Sequence, residues 1–234
     1  MAEPELLSEQ RRYYGARAAE YDAWWQRRGR YDRGADVNER WFDEAAALEA
    51  ALDRFRPSGD ILELACGTGF WTKVLARQAR RLTAVDAAPE MLARARERVG
   101  DAPVEYRQAD LFDWRPQACA YDVCFFGFWL SHVPERRFEA FWEMVASALR
   151  PGGRVFFIDS VRSERSTAAD HQLPAAEEET MLRRLDDGRE FRIVKRFFEP
   201  WELESRLARL GWRIRVEQTG EFFIYGGGER HGGD

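Results

Sequence analysis

Hydrophobic positions divide the chain into a regular middle and two less regular ends. Between Asp60 and Ile158, short apolar runs alternate with stretches whose apolar residues recur every three or four positions. Strands are expected at Ile61, Leu62 and Leu64, and at Leu82–Val85, Val104–Arg107, Tyr121–Phe126 and Arg154–Ile158, because short apolar runs bounded by turn residues suit a buried sheet. A helix follows Gly69, with Trp71, Val74 and Leu75 among its apolar positions. Pro89 opens a second, to about Val99, and Pro134 starts a third in which Phe138, Phe141, Val145 and Leu149 face one way. Strands alternating with helices predict a doubly wound α/β fold with a mainly parallel sheet, whose ligands sit beyond the carboxyl ends of the strands.

The ends read differently. Residues 5–27 form one or two amphipathic helices carrying Tyr13, Tyr14, Tyr21, Trp24 and Trp25. Residues 28–38 are a polar, glycine-containing connection, and 39–55 a second helix with Trp41, Ala45, Leu48, Leu52 and Phe55 spaced along one face. After Asp159 the alternation breaks into a polar stretch, 160–180. Arg184–Lys195 follows as a hairpin around Asp187-Gly188, a favoured two-residue turn. Pro200 opens a helix to about Leu210, and Trp212–Val216 and Phe222–Tyr225 close the sheet. The glycine-rich Gly226–Asp234 reads as a frayed tail. The expected organisation is a helical lid (1–56), a ligand-binding core (57–160), a substrate cap with a hairpin (161–198), the closing elements of the core (199–226) and a flexible tail (227–234).

The core is organised around Asp60–Lys73. Its strand breaks at Gly67 and Gly69 and becomes a helix, a turn that brings backbone N–H groups up to a ligand. A phosphate-binding P-loop would need Gly-Lys-Ser/Thr, which is absent. A dinucleotide site wants a third glycine three residues after the second, where this chain has Thr72. An acidic group at the strand end, Glu63, suits a cationic ligand instead.

Glu63-Leu64-Ala65-Cys66-Gly67-Thr68-Gly69 resembles the first motif of the class I S-adenosylmethionine-dependent methyltransferases, E-x-G-x-G-x-G, with Ala65 where the first glycine is common. Ala65 implies a slightly less cramped turn. The resemblance covers about residues 58–160 and implies a Rossmann-like, seven-stranded sheet with an antiparallel last strand. Asp86 follows the second strand about twenty residues past the glycines, placed to accept from ribose hydroxyls. Ala87-Ala88-Pro89-Glu90-Met91-Leu92 resembles the family's second motif, with Met91 against the adenine. Asp110 resembles the adenine-recognition acid, helped by the Leu111 N–H. Each acid has a plainer reading as a turn or cap residue, but Glu63, Asp86 and Asp110 end three successive strands and share one crevice. The resemblance therefore implies S-adenosylmethionine as cofactor, with Tyr21, Ala65, Gly67, Gly69, Ala87 and Phe126 also at its site. The Tyr13-Tyr14…Tyr21-Asp22 pattern is similar to small-molecule methyltransferases of the quinone-biosynthesis and natural-product type, whose first helices cover cofactor and substrate.

Chemistry and composition narrow the acceptor. A sulfonium methyl is already activated, so the protein must mainly align the reactants and exclude water. Tyr13, Trp25, Phe128 and Trp129 are expected to wall an apolar or aromatic acceptor pocket, with core packing as the alternative. The base-methylating signature Asn/Asp-Pro-Pro-Tyr/Phe is missing after the fourth strand, and a net charge of −5 gives nucleic acid no attraction. His132, His171 and Asp159 are the candidate catalytic residues. Each has a structural alternative: a backbone-bonded histidine, a solvated loop residue, a turn cap. Arg189, Arg192 and Lys195 alternate along the hairpin, either to meet an acidic substrate or simply to lie in solvent. Three cysteines without metal spacing imply reduced thiols, hence a cytoplasmic protein with no metal site. No leader is visible in Met-Ala-Glu-Pro-Glu, and no apolar run approaches about 20 residues, so no membrane span is expected. The expected function is methyl transfer to an O, N or C atom of a small molecule. The alternatives are an RNA or protein methyltransferase, a binding protein for the same cofactor, and a nucleotide-dependent oxidoreductase, which Glu63 and Thr72 disfavour. The oligomeric state is not legible.

Overall fold

The computed structural model describes residues 2–175 and 177–231. Five strands, β1 (Gly59–Leu64), β2 (Ala79–Asp86), β3 (Val104–Gln108), β4 (Tyr121–Gly127) and β5 (Leu149–Ser160), are joined, everywhere but between β3 and β4, by helices. These are α4 (Phe70–Leu75), α5 (Pro89–Val99) and α6 (Phe138–Ala148). Three helices precede the sheet: α1 (Glu3–Arg17), α2 (Tyr21–Trp25) and α3 (Ala35–Phe55). A hairpin, β6 (Thr180–Arg184) and β7 (Glu190–Val194), then α7 (Pro200–Arg209), β8 (Trp212–Gln218) and β9 (Phe223–Arg230) follow it. The sheet order is β3-β2-β1-β4-β5-β9-β8, and β9 is antiparallel to both neighbours. The order reverses between β1 and β4, which opens a crevice at their carboxyl ends.

Register explains why the central strands carry so many aromatics. Phe125 pairs with Phe156 and Phe126 with Phe157, and consecutive residues point to opposite faces. Phe125 and Phe156 therefore stack on the face covered by α3, with Trp41, Leu48 and Leu52. Phe126 and Phe157 stack on the other, under α6, against Phe141 and Trp142. Burying each ring contributes roughly 1.5–3 kcal/mol. Phe126, expected at the cofactor, is thus a core residue: the pleat turns it away from the crevice.

Several boundaries move. β5 begins at Leu149 and ends at Ser160, and α3 starts at Ala35, inside the expected connection. The hairpin turns through Leu185–Arg189, with strands that begin at Thr180. The tail is overturned as far as Arg230. Gly226, Gly227 and Gly228 are interior positions of β9, paired with β5 on one side and β8 on the other. The remaining tail residues, 232–234, lie outside the described ones. Glycine is required there by proximity. A Cβ on Gly228 would lie 2.0 Å from the Arg213 carbonyl oxygen, and one on Gly226 2.5 Å from the Phe157 ring. Among the described residues, no helix is long and apolar enough to cross a membrane.

The ends of the chain meet over the crevice. Gln10 of α1 accepts from the Val194 N–H (2.9 Å) of β7 and donates to the His132 carbonyl (3.3 Å); Glu9 accepts from the Arg192 N–H (2.7 Å). Tyr13 fills the gap between α1 and the hairpin, packed with Met181, Leu185 and Ile193.

Gly228→Ala is expected to destabilise the protein by about 2–3 kcal/mol, an overpacking cost against backbone that cannot move aside. Gly227→Ala, whose Cβ would meet only the edges of Phe156 and Phe55 at 3.1 and 3.2 Å, is expected to cost less. Urea unfolding of both variants checks this; equal, negligible effects would restore the tail reading.

Candidate active site

The first turn of the crevice is built on left-handed backbone. Ala65, Gly67 and Gly69 all have positive φ, at 52°, 55° and 81°. Ala65 is the unusual member: a Cβ in this region costs about 1–2 kcal/mol, so the turn is as tight as a glycine would make it and the alanine bears strain. Asp86, ending β2, accepts the Gly67 N–H and the Ala88 N–H, each at 2.9 Å, and so ties the turn to the start of α5. Gly69 does a different job from the expected one. It lies where α4 presses on α5: a Cβ there would meet the Ala95 Cα at 2.7 Å, and it lines none of the cavities described below.

Three cavities of about 660, 460 and 490 Å³, counting their open mouths, adjoin one another under α1 and α2. The first is lined by Asp86, Ala87, Met91, Asp110, Leu111 and Trp129. The second is lined by Trp25, Glu63, Ala65, Gly67, Thr68 and Arg98. The third is lined by Arg17, Ser160, Thr167, Arg183 and Lys195, with no carboxylate among its wall residues. Tyr21 and Phe128 line all three, and Tyr14 and His132 line the first and third. Phe128 has a φ of 57°, rare for a bulky residue, with its N–H held 2.7 Å from the Ile158 carbonyl oxygen. Strain of this kind persists where surroundings over-determine it, as at binding sites.

The second cavity has a buried acid with an unpartnered oxygen on its wall. Glu63 is 1% exposed, and its Oε2 is buried without a hydrogen-bond partner. Burial pushes its carboxyl up to about 8; the Thr72 hydroxyl opposes the rise and the Asp86 charge adds to it. Burial also raises Asp86, against its bonds to Ala88 and Gly67. In the first cavity Asp110 accepts the Phe112 N–H (3.0 Å) and pairs with Arg11 of α1. It is both a turn cap and a wall residue. Asp22 of α2 accepts from the Thr68 hydroxyl (2.7 Å) and pairs with Arg98, fastening α2 over the motif turn.

The expected catalytic and acceptor residues are redistributed. His132 faces the crevice, fully bonded: Nδ1 lies 2.6 Å from the Val194 carbonyl oxygen and Nε2 2.6 Å from the Tyr14 hydroxyl. A carbonyl only accepts, so Nδ1 carries the proton and Tyr14 donates to Nε2. Asp159 does not reach a ligand. It is wholly buried, accepting the Ser131 and Ser160 N–H groups (2.8 and 2.7 Å) with the Lys195 ammonium at 3.6 Å. His171 lies outside the cavities, bonded to the Arg184 backbone and the Arg183 side chain, and burial lowers it to about 3. Tyr13 faces the hairpin and Trp25 the Glu63 cavity, while Trp129 packs on Phe112 beside the first cavity. Of the four expected acceptor-pocket residues only Phe128 lines the third cavity.

Arg17 and Arg183 were not anticipated, and Tyr14 and Asp22 only as parts of the Tyr13-Tyr14…Tyr21-Asp22 pattern. For α1 a signal was present: Leu7, Gln10, Tyr14 and Arg17 follow helical spacing, and Tyr13 lies at the edge of that stripe, about 100° from Tyr14. Of the hairpin cations, Lys195 enters the cavity, while Arg189 pairs with Asp187 in solvent.

The chain is similar to known proteins along nearly all its length. Residues 61–153 match a family model described as a methyltransferase domain. A ubiquinone biosynthesis O-methyltransferase of Xanthomonas campestris pv. campestris is 30% identical, the match covering 81% of this chain and 75% of that enzyme. Two solved structures superpose with a TM-score of 0.76. A DhpI–SAH complex is 42% identical, with 97% of each chain covered. A DhpI–SAM–HEP complex is 44% identical, with 95% of this chain and 96% of that one covered.

Burial, with the neighbouring Lys195 charge, pushes the His132 ring well below 6.5, while its bond to Val194 opposes the fall. An unfolded chain protonates this ring first, so its contribution to stability is complete above about pH 6.5 and is lost as pH falls through the folded value. The ring is expected to remain the neutral Nδ1–H tautomer from pH 6 to 8. Long-range ¹H–¹⁵N spectra of the imidazole read this directly, and an Nε2–H tautomer or a titration near 6.5 would reverse the assignment.

Proposed function

Since the chain belongs to the class I S-adenosylmethionine-dependent methyltransferases, and its activity is methyl transfer from that donor to a small molecule, we propose the following division of the crevice. The first cavity takes the adenosine of the donor, with Asp86 at the ribose, Ala87, Met91 and Leu111 along the base and Asp110 at its amine edge. The second takes the methionine moiety. The third takes the acceptor, which meets the donor at Tyr21 and Phe128, where the cavities join.

The observation that carries this reading is Glu63. A buried carboxylate with an unpartnered oxygen is costly unless a cation or proton meets it, and the donor's ammonium is such a cation. Asp86 supports the ribose assignment. Each of its oxygens takes one backbone N–H and has a further lone pair for a hydroxyl. The donor supplies a methyl on positively charged sulfur, already activated toward displacement. The chain's residues align and dry the site: Trp24, Trp25 and Phe128 pack edge to face around the junction, and aromatic faces there exclude water and favour the sulfonium. Together, α1, α2 and the hairpin act as a cap. An oxygen acceptor is favoured by the O-methyltransferase named above. The three free thiols, Cys66, Cys119 and Cys124, favour a reducing, cytoplasmic setting.

Two outcomes are expected. At pH 7 Glu63 is mostly protonated in the free protein and ionises when an ammonium arrives, so S-adenosylhomocysteine binding releases a proton. Free-protein stability from this group is complete below about pH 4.5 and falls as pH rises through about 8. Calorimetry in buffers of different ionisation enthalpy measures the release, and Glu63→Gln abolishes it; a buffer-independent heat in the wild type would sink the ammonium assignment. Asp86→Ala is expected to weaken S-adenosylhomocysteine by about 1–3 kcal/mol, and unchanged affinity in a folded variant would refute the ribose contact.

A further inference from the structure

We propose that the acceptor is a small acid bound as its oxyanion in the third cavity, and that the product is its methyl ester. This rests on the donor assignment above and adds the substrate class. Arg17 and Lys195 are 7% and 5% exposed, and Arg183 is half-buried; all three line one cavity. Burial of like charges is tolerated where an opposite charge meets them. Within the described protein only one does: Asp159 stands behind Lys195, 3.6 Å away. Arg17 donates to the Tyr31 hydroxyl (3.2 Å), and Arg183 to the Thr167 hydroxyl (2.5 Å) and the His171 ring (2.9 Å); neither has a carboxylate partner among the described residues. The Nε of each is buried with no partner. Stacking explains part of Arg17's placement, since its guanidinium lies 4.7 Å from the Tyr21 ring centroid. It does not explain the unused Nε donor or the convergence of a second guanidinium and an ammonium on the same space. Lys195 also bonds to the Ser131 and Ser160 hydroxyls, at 2.9 and 3.4 Å, which holds the ammonium at the wall.

At pH 7 the same cavity holds no free base: burial lowers Lys195 only to about 8, so it stays mostly the ammonium. His132 has both ring nitrogens engaged, and Asp159 is sealed behind the wall. A neutral phenol or alcohol would need a proton acceptor here; an acid that arrives ionised would not. A lone pair of the oxyanion forms the new O–C bond while the methyl C–S bond breaks, its electron pair remaining on sulfur. The sulfonium becomes a thioether, the acid becomes an ester, and no proton moves. Planar carboxylates and tetrahedral phosphates or phosphonates share the chemistry that these donors recognise.

The test is calorimetric titration of the protein loaded with S-adenosylhomocysteine, using acetate, inorganic phosphate, methylphosphonate and catechol. At least one of the three anions is expected to bind and catechol is not; binding confined to acetate marks a carboxylate acceptor, binding confined to phosphate or methylphosphonate a tetrahedral one. Lys195→Met and Arg183→Gln are each expected to weaken that anion at least tenfold while S-adenosylhomocysteine affinity stays within twofold, which also shows that the variants fold. Catechol binding with no anion binding, or anion affinity untouched in both variants, would overturn the proposal while leaving the donor site standing. Failure of S-adenosylhomocysteine to bind the wild type would instead bring down the donor assignment, and this proposal with it.

Discussion

One carboxylate fixes the geometry on which everything at the crevice depends. Asp86 accepts one N–H from the turn after β1 and one from the start of α5. Those two bonds hold adjacent strand ends at a set separation and keep the left-handed turn from relaxing. Hydrogen bonds to a charged acceptor are worth more than neutral ones, and a buried donor left unpaired costs more than the bond gains. The turn therefore needs Asp86 even with no ligand present, and a hydroxyl-bearing ligand meets an acceptor that is already placed.

The cap depends on a second set of bonds, made between distant parts of the chain. Gln10 bridges the hairpin and the loop carrying His132, and Asp22 fastens α2 to Thr68 and Arg98. Neither set would mean much alone, because α2 has only five residues and a two-stranded hairpin is marginal by itself. The hairpin is held instead by α1, with Tyr13 filling the space between the two. The third cavity opens beside that packing, with Tyr14 and Arg17 of α1 on one wall and Arg183 of the hairpin on another.

This division explains what the sequence discloses. The β1 turn, Asp86, Met91 and Asp110 are legible because they lie on consecutive strand–helix units, where local pattern sets position. Register alone separates Phe125 from Phe126, and each faces a helix layer, so an apolar run could not say which approached a ligand. The glycines of β9 resemble a tail because composition does not show proximity; the Arg213 carbonyl that makes Gly228 necessary lies in another strand. Arg17, Arg183 and Lys195 come from a helix, one strand of the hairpin and the residue just after the other, brought together only by tertiary packing. Of these, alternation along the hairpin singled out Lys195 as a candidate for meeting an acid, and nothing local separated it from Arg189 and Arg192, which stay outside the cavity.

Charge is sorted across the junction in a way that bears on turnover. In the proposed division, Glu63, Asp86 and Asp110 line the donor side, where the cations Arg11 and Arg98 are paired with Asp110 and Asp22; Arg17, Arg183 and Lys195 line the acceptor side, and Tyr21 and Phe128 line both. A sulfonium and an oxyanion are opposite charges that disappear together as the methyl group moves. Such a reaction gains from a dry, low-dielectric junction, since the disappearing charges are poorly solvated there and the dispersed transition state loses less. The same arithmetic favours release. Once the acid is an ester, the cations of the third cavity have lost a charge to hold, and the sulfur no longer faces an anion. In the proposed division, reactant binding and product departure are then two consequences of one sign pattern, an excess of carboxylates in the donor cavities and of cations in the third.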